Sequence, residues 1–160
     1  MNTRCIARIF FVSVCALTAG LTRGATLYWD GSSVNIDGAS GGGSGTWATG
    51  AAGWEDGTNA VNWSNSNTAI LGGTAGTITL GSAVTASATT LEATGYSITS
   101  GYVLNAGLLN LGANSLSFTR SVANAFNLSG LTGTGSLSLH NGASSMTLGG
   151  LASANAVAFN

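Results

Sequence analysis

The chain has 160 residues, 44% of them hydrophobic and only 6% charged, against roughly 25% charged in ordinary globular domains. Beyond residue 24 the basic side chains reduce to Arg120, set against Asp30, Asp37, Glu55, Asp56 and Glu92. That balance excludes a nucleic-acid partner, which needs clustered Lys or Arg to displace phosphate counterions, and it removes attraction to anionic lipid as well.

Arg4 and Arg8 flank a short polar start, and an apolar run begins at Ile9 and reaches Leu21. The run falls short of the ~20 residues that a membrane span needs. A basic start, a short apolar run and then small residues describe a secretory signal peptide over residues 1–25. Thr18-Ala19-Gly20 and Thr22-Arg23-Gly24 both carry small residues at the required offsets, so the mature chain is expected to start near residues 21–26. An uncleaved anchor is the alternative. Both cysteines, Cys5 and Cys15, lie in this leader, and Val14 is too bulky for lipid attachment at Cys15. The mature chain then has no thiol and no disulfide, and packing and backbone ladders alone must hold it.

Residues 26–75 carry all four tryptophans, Trp29, Trp47, Trp54 and Trp63, and the glycine run Gly41-Gly42-Gly43-Ser44-Gly45. Asp30-Gly31, Asp37-Gly38 and Asp56-Gly57 are turn dipeptides, since Asp tolerates the left-handed region and Gly occupies it freely. Short strands are expected at Thr26–Trp29, Gly45–Ala48 and Ala69–Leu71. This segment reads as an amino-terminal cap with entry strands.

From residue 76 to 160 the text becomes strand, turn, strand, turn. Ile78/Leu80, Tyr96/Ile98, Leu116/Phe118, Leu137/Leu139 and Val157/Phe159 are apolar pairs one polar residue apart. Counted on the second member, they step by 18, 20, 21 and 20 residues. A second series, Leu91, Leu109/Leu111, Phe126/Leu128 and Met146/Leu148, runs between them with steps of 20, 17 and 20. Period-two alternation puts the apolar members on one face and Ser, Thr or Asn on the other. A fixed period of this size marks a chain wound into stacked coils. The expected fold is therefore an all-β, right-handed parallel β-helix or β-solenoid with coils of about 20 residues, the β-sandwich being the alternative. A coil from Ile98 to Phe118 would turn Ile98, Leu104, Leu109, Leu111, Leu116 and Phe118 inward.

Tyr28-Trp29-Asp30-Gly31, Gly45-Thr46-Trp47, Asn62-Trp63-Ser64, the run from Thr68 to Leu80 and Thr94-Gly95-Tyr96-Ser97-Ile98 occur together. Over roughly residues 26–111 they resemble the amino-terminal region of bacterial proteins with autotransporter-associated β-strand repeats. That resemblance implies an exported, passenger-like β-helix at, or released from, a bacterial surface. Such proteins usually run much longer, and this sequence stops at Phe159-Asn160 inside an expected strand.

Catalytic constellations are thin. Glu55 and Asp56 are adjacent and Glu92 is distant in sequence, so facing carboxylates of the glycosidase kind are not indicated, and solvated loop acids explain all three. His140, beside Asn141, has no nucleophile pattern around it and reads as a surface-loop histidine. The glycine run lacks the Lys-Ser/Thr ending of a phosphate loop and reads as flexible. Asp30, Asp37 and Asp56 could offer oxygen ligands to calcium, but they do not follow the nonapeptide pattern of calcium-binding β-rolls. No metal and no cofactor is expected. Trp29, Trp47, Trp54 and Trp63 are candidates either for sealing the open end of a solenoid or for stacking on glycans, and stacking would need two or more exposed, coplanar rings. The expectation is an exported, non-catalytic structural or adhesive module at the outer cell surface. Surface glycans or end-to-end self-association supply its partners, and the segment does not insert in a membrane once the leader is gone.

Overall fold

The computed structural model describes residues 24–120, 126–140, 147–148 and 156–159. The signal-peptide expectation therefore lies outside the described residues, as do Met146 and both cysteines. Alternating apolar and small polar residues make strands almost everywhere, and no helix occurs among the described residues.

Four strands come first: β1 (Thr26–Trp29), β2 (Gly45–Trp47), β3 (Trp54–Glu55) and β4 (Ala60–Val61). Windings of three strands follow. The first holds β5 (Thr68–Leu71), β6 (Thr77–Leu80) and β7 (Val84–Thr85); the second holds β8 (Ala88–Leu91), β9 (Tyr96–Ser100) and β10 (Leu104–Asn105). Next come β11 (Leu108–Asn110), β12 (Ser115–Arg120) and β13 (Phe126–Leu128). Then β14 (Gly130–Thr132), β15 (Ser136–His140) and β16 (Thr147–Leu148) lead to β17 (Ala156–Phe159).

Each winding sends one strand to each of three sheets. Their orders are β14-β11-β8-β5-β1-β3-β4, β17-β15-β12-β9-β6-β2 and β16-β13-β10-β7. All pairing is parallel except β1 with β3 and β3 with β4. This is the expected β-solenoid, and three parallel sheets around one axis exclude the sandwich.

Register fixes the period. In the second sheet Ile78, Ile98, Phe118, Leu139 and Phe159 align from strand to strand, at steps of 20, 20, 21 and 20. Leu80 is not part of that column. It aligns with Trp47 below and with Ser100 and Arg120 above, so the apparent step of 18 in the sequence came from pairing the wrong members. The second apolar series is two sheets read as one: Leu91, Leu109 and Leu111 serve the first sheet, Phe126 and Leu128 the third. The step of 17 was the jump between them. The regular windings begin at β5, within the segment of cap and entry strands, because β5 already pairs with β8 at a 20-residue offset.

One dry interior runs through the stack. Ile98, Leu104, Leu109, Leu111, Leu116 and Phe118 are all buried, as period two requires, and the Phe118 and Phe126 rings stack across two sheets at 4.4 Å. Close stacking also dictates the corners. Gly107 has φ 61, and a Cβ there would lie 2.2 Å from the Ser87 carbonyl oxygen of the winding below.

Candidate functional site

The four tryptophans converge at the amino-terminal end of the stack. Antiparallel register places Trp29 of β1 opposite Trp54 of β3, Trp47 ends β2, and Trp63 follows β4. Ring centroids lie 5.0 Å apart for Trp29–Trp54, 5.2 Å for Trp47–Trp54, 4.9 Å for Trp47–Trp63 and 4.7 Å for Trp54–Trp63. Interplanar angles run from 43° to 83°, the tilted and edge-to-face arrangements that aromatic quadrupoles favour. All four are at most 1% exposed. No ring offers a face on which a sugar could stack.

Polar groups tie this cluster to the windings. Trp29 Nε1 donates to the Gly43 carbonyl at 2.9 Å and Trp63 Nε1 to Asn65 Oδ1 at 3.4 Å, whereas the Trp47 and Trp54 indole nitrogens are buried without an acceptor. Asn65 Oδ1 also accepts Thr85 N at 3.0 Å, and Ser66 N donates to Thr85 O at 2.8 Å. Residues 65–66 thus cover the amino-terminal edge of β7, while β3 and β4 extend the first sheet past β1. Asp30 is buried and accepts the Asn35 and Gly41 amides at 2.8 and 2.7 Å, which shapes the loop between β1 and β2. Ser40 Oγ donates to Trp29 O at 2.5 Å and accepts Gly72 N at 2.8 Å. Tyr96, in the second winding, donates to Gly72 O at 2.6 Å. Burial pushes the Tyr96 hydroxyl up to about 12; the nearby Asp30 charge adds to the rise and a hydrogen bond with Ser40 opposes it.

Several residues stand elsewhere than the sequence suggested. Glu55 is no solvated loop acid. As part of the middle strand of the antiparallel trio it is fully buried, with Oε2 accepting the Gly57 amide and Oε1 left without a partner. Asp56 is exposed and closes its own turn, accepting Thr58 Oγ1 at 2.7 Å, Thr58 N at 2.9 Å and Asn59 N at 2.8 Å. Those bonds, the Thr58 hydroxyl first, hold its carboxyl below the usual range. His140 is not in a loop: it ends β15, half-buried, opposite Thr119. The glycine run is pinned and not flexible, because Gly42 bridges Thr74, Gly43 N donates to Thr74 O at 2.6 Å and Gly42 N donates to Trp29 O at 2.9 Å. Arg120 points inward, 5% exposed, in register with Ser100. Among the described residues no three His, Cys, Asp or Glu side chains gather as metal ligands.

Outside, like stacks on like. Thr79 and Thr99 hydroxyls lie 3.3 Å apart, Thr94 and Ser115 2.7 Å. Asn127 Nδ2 donates to Asn105 Oδ1 at 2.7 Å, and Asn105 Nδ2 to Thr85 Oγ1 at 3.1 Å. These hydroxyl and amide ladders carry no charge. The small, uncharged polar members of the alternation suit this in-register stacking of like on like, and the 20-residue register names the partners.

No family model matches the sequence, and no solved structure matches it. Over 90 residues the chain is 40% identical to the adhesin BmaC autotransporter of Brucella suis biovar 1 (strain 1330), an alignment covering 52% of this chain. The match takes in 2% of that much longer protein. With the coil register, it bears out the likeness to an autotransporter passenger-type β-helix.

Proposed function

We propose that this chain is an exported, non-catalytic module of an adhesive protein at a bacterial surface. In this reading the tryptophan end seals the stack and the uncharged outer ladders make the contacts. The observation that carries it is the register-matched column of hydroxyls and amides on the outer faces, joined to the 40% identity with an autotransporter adhesin. A stack of parallel sheets presents small polar donors and acceptors in register from winding to winding, about 4.8 Å apart. Such a surface favours many weak, repeated contacts over one catalytic constellation. The buried tryptophans support sealing over glycan stacking, since an open solenoid end would show bare apolar core to water.

The test displays the chain on a non-adherent bacterium and counts cells retained on host-cell and matrix surfaces. Wild type should raise retention several-fold. Thr79→Lys with Thr99→Lys places like charges directly opposite on the ladder and should abolish the gain while the core still melts cooperatively. Absence of any gain with the folded wild type refutes the adhesive reading; an undiminished gain in the double variant moves the contact off this face.

A further inference from the structure

We propose that residues 31–39, in the loop between β1 and β2, form a docking surface for a different polypeptide, one that sets Lys or Arg beside apolar side chains. This contact is separate from the hydroxyl ladders. Among the described residues the exposed large apolar side chains are Val34, Ile36, Tyr102 and Leu108, and the first two stand on this loop, 36% and 48% exposed.

The loop is built to hold them out. Asp30, 3% exposed, accepts the Asn35 amide at 2.8 Å through Oδ2 and the Gly41 amide at 2.7 Å through Oδ1. One buried carboxylate thus ties the middle of the loop to its end. Ser33 N donates to Asp30 O at 3.1 Å, Asn35 Nδ2 to Asp37 Oδ2, and Ala39 N to Asp37 Oδ1 at 3.0 Å. Asn35, between Val34 and Ile36, is fixed through both its backbone and its side chain. Ordering a loop opposes binding, and here the fold has ordered it in advance.

Charge names the partner. The exposed carboxylates among the described residues are Asp37, Asp56 and Glu92, and all three lie around this loop. Gly38 and Gly57 sit side by side, a Cβ on either falling 3.8 Å from the Cα of the other, which brings the Asp56 turn alongside Asp37. At the base of the loop, Glu92 Oε2 and Ser40 Cβ share the space next to Gly72, 3.1 and 3.2 Å from where a Cβ would stand. These carboxylates do not assemble as metal ligands, so their charge acts at the surface. The opposite charge has to come from elsewhere. Beyond residue 24 the sole Lys or Arg is Arg120, which points into the stack, 5% exposed. The described residues of a second copy therefore supply no exposed Lys or Arg, and the partner is another protein. Apolar anchors bordered by charge divide the work of docking: burial sets the residence time, and charge sets the encounter rate.

The purified full chain is held on a sensor surface and challenged with synthetic amphipathic peptides made of Lys and Leu, of Glu and Leu, or of Lys and Ser. The Lys/Leu peptide should bind saturably and more weakly as salt rises, while the other two barely bind. Val34→Ser with Ile36→Ser should raise the dissociation constant by about tenfold or more, chiefly through faster dissociation. Asp37→Asn with Glu92→Gln should slow association and flatten the salt dependence, with dissociation little changed. All four positions are exposed, and both variants should keep the wild-type melting curve; if the serine pair melts early, the milder Ile36→Thr is read in its place. Equal binding of the Lys/Ser peptide would reduce the effect to charge, equal binding of the Glu/Leu peptide would reduce it to apolarity, and unchanged kinetics in both variants would put the contact elsewhere. Each of these overturns the proposal, as does a folded wild type that binds no Lys/Leu peptide. Self-association of the chain that Ile36→Thr abolishes would assign the loop to a second copy, and overturns it too.

Discussion

Trp29 and Trp54 share a ring contact, yet their indole nitrogens fare differently. Trp29 Nε1 donates to Gly43 O, while Trp54 Nε1 is buried with no acceptor. An unmet buried donor costs about 1–3 kcal/mol, so Trp54→Phe discards a liability along with some area. Trp29→Phe instead discards a bond and strands a carbonyl. Chemical denaturation should find Trp54→Phe more stable than Trp29→Phe by ~1 kcal/mol or more; equal losses would show that ring volume alone matters. Truncation to alanine should cost about 3–5 kcal/mol at either position. Tyr96 gives a pH signature from the same neighbourhood. Its hydroxyl is raised from 10.0 to about 12, so between these values the unfolded chain releases the proton more readily than the folded one. Stability is retained below pH 10 and falls as pH climbs toward 12, by on the order of 2 kcal/mol. Melting temperatures of Tyr96→Phe should decline less over that window, at the expense of the bond to Gly72; an identical decline would place the alkaline sensitivity elsewhere.

Strand β12 shows what the element requires: Leu116, Phe118 and Arg120 face in while Ser115, Ser117 and Thr119 face out. Deleting Ser117 would reverse the faces on one side of the cut, exposing Phe118 or Leu116 and burying hydroxyls. We expect that variant to lose cooperative unfolding altogether, as judged by circular dichroism on heating. The corners obey a looser rule. The first-sheet offset grows from 20 residues (Ala88 to Leu108) to 22 (Leu108 to Gly130) without breaking the pairing. The two residues enter between β12 and β13, the corner that corresponds to the β9–β10 turn, so inserting two serines after Gly101, in that turn, should cost far less than removing one residue within β12. A corner insertion as damaging as the deletion would mean that turn length, and not facing, sets the register. Tightly stacked corners are stricter: at Gly107, as at Gly73 and Gly133, the backbone is left-handed and a Cβ would meet the neighbouring winding, and Gly107→Ala should lose more than ~1 kcal/mol. The same contrast decides what the sequence could reveal. Strands with two inward apolar residues, such as β6, β9, β12 and β15, announce themselves by alternation. Two-residue strands such as β7 and β10 show only Val84 or Leu104, too little to reveal a third sheet. Glu55 was legible only as an acid beside a turn, because its burial comes from antiparallel partners on both sides.

At the scale of the whole molecule, the amino-terminal end of the stack is closed by elements that do not belong to the regular windings. Toward the amino terminus, β3 and β4 extend the first sheet, residues 65–66 cover β7, and four interlocked tryptophans close the interior. Parallel strands with free edges would otherwise template a further chain, which is how exposed edges lead to aggregation. Removing residues 24–67 should uncover β5, β6 and β7 together, with Leu71, Ile78, Leu80 and Val84 beneath them. A stack open at its amino-terminal face offers three unpaired parallel edges on which other chains can add strands. The capped chain lacks that face. Static light scattering across a concentration series should show the truncated chain growing into large species that bind amyloid-type dyes, while the capped chain stays much smaller at the same concentrations. If the truncated chain stays small and keeps its native circular dichroism, the tryptophan cluster is not what closes this end, and the outer edges of β5, β6 and β7 are protected by their own shortness.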